Sequence, residues 1–198
     1  MEPMIDCGGP DGSFFDDKAI EPYGVKLMGG FRFMLLDGVE PLPQQAYKSP
    51  GHNSAIYDEG GGRYFLIFHT RFSALGDEFR VRTHQFWFNE AQWPVVSPLR
   101  YAGDPPESGE TPVGRYRLVL HGRDINKSQH LSKVAELNED GSISGAYTGT
   151  WRANGGITLD GVEYQGVFRR GYDMERAEWV TVLTMLSPDG EALWGIRG

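Results

Sequence analysis

A single cysteine, Cys7, stands among 198 residues, so the chain can form no internal disulfide. Apolar runs are short, and none approaches the roughly 18 to 20 residues that a membrane span needs. The first residues, "MEPMIDCGGPDG", carry neither a basic stretch nor an apolar one, so no export leader is read there. Positive charge is scarce: 19 lysines and arginines face 27 acidic residues, for a net charge of −8. That balance argues against nucleic acid or an anionic membrane as partner and favours neutral or weakly charged ligands such as sugars. Helical periodicity is also missing. The one candidate, "INKSQHLSKVAEL", is weakened by its β-branched and turn-forming residues.

What the chain has instead is 27 glycines and a 13% share of aromatic side chains, the composition of an all-β protein with many tight turns. "AIEPYGVKLMGGFRFMLL" reads as one or two strands broken at Gly29-Gly30. "DGVEPLPQQAYKSPG", with its three prolines, reads as a loop. From residue 50 to 103 about four short antiparallel strands are expected, the size of one propeller blade. In "FRVRTHQFWFNE", Phe79, Val81, Thr83, Gln85 and Trp87 share one face, with Arg80, Arg82, His84, Phe86 and Phe88 on the other. "DPPESGETP", 104–112, is the best domain boundary. Beyond it "EDGS", "LDGV" and "PDGE" supply three Asp-Gly hairpin turns between alternating runs, and 113–198 reads as a small antiparallel barrel or sandwich.

"AIEPYGVKLMGGF", "SPGHNSAIYDE", "YFLIFHTRF", "VRTHQFWFNEAQWPVVSPLRYAG" and "GSISGAYTGTW…VFRRGYD…LWG" together resemble glycoside hydrolase family 43. The likeness is to its endo-α-1,5-L-arabinanases with an added C-terminal barrel. The resemblance implies a partial five-bladed β-propeller, about its last blade, in residues 1–103. A lipocalin-like antiparallel β-barrel follows after the 104–112 linker. It also implies that the base aspartate, the aspartate that tunes the acid and the acid glutamate all lie upstream, so no catalytic residue is expected in this chain. Inverting glycosidases hold acid and base roughly 6.5 to 9.5 Å apart across the scissile bond, which a single blade cannot do alone.

His52, in "PGHNS", is the one metal-site candidate. By resemblance it faces the central channel, where arabinanases hold a cation, usually calcium, mostly through waters. Read without the resemblance, it is a turn histidine bonded to backbone. Asn53 and Ser54 read as turn and strand-start residues; His69, Arg71 and His84 read as structural polar groups. Glu21 reads as an ion-pair partner, and Asp16 and Asp17 point to opposite sides of an extended chain. Among Trp87, Trp93, Trp151, Trp179, Trp194, Tyr147 and Tyr164, core packing outweighs sugar stacking for any single residue, and the sequence does not say which one could serve as a platform.

Two functional classes follow. In the first, the chain is the C-terminal part of an arabinan-degrading glycosidase, secreted as its relatives are. Its partners are then N-terminal blades on another chain or lost by truncation. In the second, it is a non-catalytic carbohydrate-binding module that covers its open blade by self-association.

Overall fold

The structure is a computed structural model and describes residues 25–37, 46–72, 75–106, 112–124 and 128–198. Among these residues there is no α-helix. Five strands precede residue 100: β1 (Phe31–Arg32), β2 (Ala46–Asp58), β3 (Arg63–Arg71), β4 (Phe79–Phe88) and β5 (Pro94–Val96). Nine follow: β6 (Gly114–Leu120), β7 (His130–Leu131), β8 (Lys133–Leu137), β9 (Ser142–Gly145), β10 (Gly149–Arg152), β11 (Gly156–Leu159), β12 (Val162–Asp173), β13 (Glu178–Leu186) and β14 (Ala192–Arg197). They form an open sheet in the order β5-β4-β3-β2-β1-β7 and a closed eight-stranded barrel, β10-β11-β12-β13-β14-β6-β8-β9. The expected all-β plan, with an open sheet followed by a small antiparallel barrel, is what the chain adopts.

Hairpin chemistry sets the barrel's register. Asp160 and Gly161 both take positive φ, 48° and 88°, the two left-handed positions of a type I′ turn, whose twist matches that of flanking strands. Asp160 also accepts from the Thr148 N–H at 2.9 Å, tying this turn to the neighbouring hairpin. On β12, Gly166 lies so close to β13 that a Cβ there would stand 2.0 Å from the Thr184 carbonyl oxygen. Closure of the barrel therefore requires glycine at this point. The weak helix candidate is instead a pair of short strands, β7 and β8; its residues 125–127 lie outside the described set.

Alternation then sorts side chains into two cores. Tyr116, Leu118, Leu137, Leu159, Leu183 and Leu193 fill the barrel interior. The opposite faces of the same strands present Val119, Val180, Val182, Trp194 and Ile196 to the open sheet, where Phe31, Phe33, Tyr47, Phe68 and Phe86 meet them. Each such side chain taken out of water stabilises by about 1.5 to 3 kcal/mol. Sheet and barrel thus share one hydrophobic core. β7 strengthens the join, because it leaves the barrel half of the chain to pair in parallel with β1, Phe31 opposite His130.

The other face of the open sheet is uncovered along much of its length. Val81 is 69% exposed, Phe79 55% and Ile56 47%. These belong to the face assigned above to Phe79, Val81, Thr83, Gln85 and Trp87. His84, Phe86 and Leu66 point the other way, into the shared core. Cys7, Asp16, Asp17 and Glu21 lie outside the described residues.

Candidate functional site

"KSPGHNS" does not begin a strand; it runs through the middle of β2 as two consecutive bulges. Lys48 pairs with Arg71, Gly51 with His69 and Ser54 with Ile67, so β2 spends an extra residue against β3 in each step. The two extra residues are visible in the backbone. Ser49 has φ of 50° and His52 has φ of 49°, left-handed values that side-chain-bearing residues rarely adopt. Ser49 does so directly before Pro50, where an extended conformation is the norm. Strain of this kind costs about 1 to 3 kcal/mol per residue and persists only where the surroundings enforce it.

The bulges turn the His52 side chain onto the uncovered face. Its ring lies 5.6 Å from that of His69 at 62°. His69 in turn meets Phe79 at 4.3 Å, and the Arg71 guanidinium covers Phe79 at 4.1 Å. His52 is exposed at the end of this ladder, and His69 is half-buried within it. Beside the bulge lies a cleft of about 260 Å³, lined by Lys26, Met28, Pro50, Gly51, Asn53 and Phe68 among others. Asn53, read above as a turn residue, contributes to this wall.

The donor set does not fit a self-sufficient calcium site. Calcium takes six to eight oxygen ligands, whereas the ring that stands beside the His52 imidazole is another imidazole. Among the described residues no group of three or more His, Cys, Asp or Glu side chains could hold a metal ion.

Two other histidines are buried and structural. His84 Nδ1 lies 2.7 Å from the Ser97 carbonyl oxygen, to which it must donate, so Nε2 accepts from the Tyr47 hydroxyl at 2.9 Å. Burial pushes the His84 pKa down to about 4, aided by Arg82 and Arg100 and opposed by the Ser97 bond. Burial likewise pushes Tyr47 up to about 12, so this pair stays neutral. His121 is held well below the usual imidazole range, first by burial and then by His130 and Lys26, and its Nδ1 accepts from the Gly29 N–H at 3.2 Å.

The tryptophans separate in a way no pattern in the sequence announces. Trp194 is fully buried in the shared core. Trp151 donates to the Asn138 carbonyl oxygen, Trp179 packs on Tyr172, and Trp87 lies under Arg169. Trp93 alone is left 40% exposed without a ring partner among the described residues.

A small closed barrel packed through its outer face on an open, bulge-bearing sheet defines the class. Residues 98–195 match the C-terminal lipocalin-like domain of glycoside hydrolase family 43. Along nearly its whole length the chain is similar to the C-terminal portion of endo-arabinanases. It is 46% identical over 201 residues to the extracellular endo-α-(1→5)-L-arabinanase 2 of Bacillus subtilis, covering 98% of this chain and 42% of that protein. It is 36% identical to the extracellular endo-α-(1→5)-L-arabinanase of Thermotoga petrophila, covering 95% of this chain and 44% of that one. A crystal structure of a family 43 glycoside hydrolase from Bacillus licheniformis superimposes with a TM-score of 0.87 at 45% identity, over 99% of this chain and 44% of that chain. The endo-1,5-α-L-arabinanase structure from Thermotoga petrophila gives 0.81 at 38% identity, over 92% and 42%. The chain therefore spans less than half the length of these relatives.

Proposed function

We propose that this chain supplies the closing sheet and accessory barrel of an endo-acting, arabinan-degrading glycosidase, with the catalytic acid and base on an N-terminal part. One observation carries the reading. The chain aligns along nearly its whole length with the C-terminal part of arabinanases, and it leaves an uncovered apolar face with the strained His52 at its end. That face, bearing Ile56, Phe79 and Val81, is where a preceding propeller blade would stack. Residues 1–103 would then be propeller, 113–198 the accessory domain and 104–112 the passage between them.

In the assembled enzyme the cleft beside Pro50, Gly51 and Asn53 would open towards the substrate channel, and the bulges would hold the His52 imidazole at its wall. The calcium that the resemblance implies would take His52 as its contact from this chain, with oxygens from water and from the N-terminal part. No catalytic step is assigned to it. Secretion is proposed because the curated relatives are extracellular.

The test is an assay on linear arabinan with the chain alone, with a separately produced N-terminal part, and with both. Activity only in the mixture supports the reading. Hydrolysis by this chain alone would overturn the upstream placement of acid and base. An inactive mixture in which the two parts nevertheless co-elute would overturn the glycosidase reading and leave a binding module.

A further inference from the structure

We infer that the groove beneath the β4–β5 turn is an accessory site for a neutral polysaccharide chain, with Trp93 as its stacking platform. The groove encloses about 300 Å³ and lies between the 89–93 turn and the outer barrel wall. That is the lower end of the range for small-molecule sites, enough for one or two sugar rings.

The local fold explains why Trp93 faces the groove. Asn89 closes the turn: its N–H donates to the Trp93 carbonyl oxygen at 2.9 Å, and its Oδ1 accepts from the Trp93 N–H at 2.9 Å. Gln92 takes a φ of 62° to let the chain reverse. The backbone of Trp93 is thereby fixed at both polar groups while its indole projects out of the sheet. Every other tryptophan has a ring, cation or hydrogen-bond partner for its side chain. The indole of Trp93 is instead left with an open apolar face over the groove.

The opposite wall supplies the polar half of a sugar site. On β12, Tyr164 points into the barrel, so Glu163 and Gln165 on either side of it point outward, and both are exposed at the groove. A carboxylate and an amide offer acceptors and donors for ring hydroxyls. Leu186 and Pro188 form an apolar floor. The Glu163 charge and the net charge of −8 disfavour anionic glycans, which leaves neutral ones. Along β4 the site stands about 20 Å from the His52 end of the sheet, at about 3.3 Å per residue. It is thus a separate tether and no part of the bulge cleft. The choice of arabinan as the polymer rests on the proposed function; the stacking platform itself does not.

The test is affinity electrophoresis of the 198-residue protein in gels containing linear arabinan, galactan or a soluble cellulose derivative. Retardation by arabinan that weakens about tenfold in Trp93→Ala supports the site, tenfold being what a lost aromatic stack is worth. Trp93→Phe should keep most of the binding, and Glu163→Gln should allow binding of an acidic galactan that the parent rejects. Unfolding midpoints matching the parent show that the variants fold. In the parent, arabino-oligosaccharides should shift tryptophan emission to the blue, and in Trp93→Ala they should not. Retardation by another neutral polymer but not arabinan, lost in Trp93→Ala, would keep the platform and overturn the arabinan reading. No retardation by any polymer, or retardation indifferent to Trp93, overturns the inference.

Discussion

Trp194, on the last barrel strand, packs edge-on against Phe31 of the open sheet, ring centroids 5.2 Å apart at 72°. Both side chains are fully buried, and Tyr47 and His121 close around the same Phe31 ring at 4.7 and 5.6 Å. This contact joins residues from opposite ends of the chain across the boundary drawn in the sequence. Trp194→Ala should therefore destabilise sheet and barrel together, by about 3 to 5 kcal/mol. Thermal unfolding followed by near- and far-ultraviolet dichroism should show one lowered transition. Two separate transitions would show that the cores are independent.

Buried His84 makes stability depend on pH. Its folded pKa of about 4 lies below the ordinary imidazole value of 6.5, so the unfolded chain binds a proton more readily in between. Stability therefore rises with pH through that window and is lost as pH falls from about 6.5 towards 4. Between pH 7 and 5 the expected loss from this residue is about 2 kcal/mol. His121, also held low, acts in the same direction. Denaturant titrations at both pH values measure the loss; in His84→Gln the slope should be shallower.

Arg117 and Asp173 form an ion pair removed from water, Nη2 to Oδ2 at 2.8 Å, with 2% and 0% of the two side chains exposed. Asp173 Oδ1 also accepts the Glu175 N–H at 2.9 Å, so the same carboxylate fixes the turn after β12. Asp173→Asn keeps the shape and removes the charge that faces the guanidinium at 2.8 Å, while Glu175 stays 3.7 Å from it. A loss of about 3 kcal/mol is expected in denaturant unfolding.

The strain at His52 can be read by substitution. His52→Gly removes the penalty of φ near 49°, and His52→Val raises it, since a β-branched side chain tolerates left-handed backbone least. The valine variant should unfold about 1 to 2 kcal/mol more easily than the glycine variant. Under the function proposed above, both should also lower arabinan hydrolysis by the mixture with the N-terminal part. Equal stability of the two would mean that the bulge relaxes freely.

Much of this was legible in the residues. Alternation placed Val81 and His84 on opposite faces of β4, since period two needs no knowledge of partners. "LDGV" announced its turn because Asp-Gly suits two left-handed positions. His52 was singled out, but the bulges that carry it were not, because register against β3 depends on which residues pair and leaves no local mark. The pairing of Phe31 with His130 joins residues nearly a hundred positions apart, beyond any window. Trp93 could not be told from Trp87 by composition; only the shape of the 89–93 turn distinguishes an open indole from a covered one.

The margins of the open sheet are stubs: β7 has two residues, and β5 has three and begins with a proline that has no N–H to give. They also leave the long strands inside them partly uncovered: β1 pairs with β2 only at Ala46 and Tyr47, and β5 with β4 only from Phe86 to Phe88. Among the described residues most of the second side of β2 therefore has no strand beside it, and whatever docks on this sheet can add a rung at that margin as well as lie flat upon it like the next page of a book.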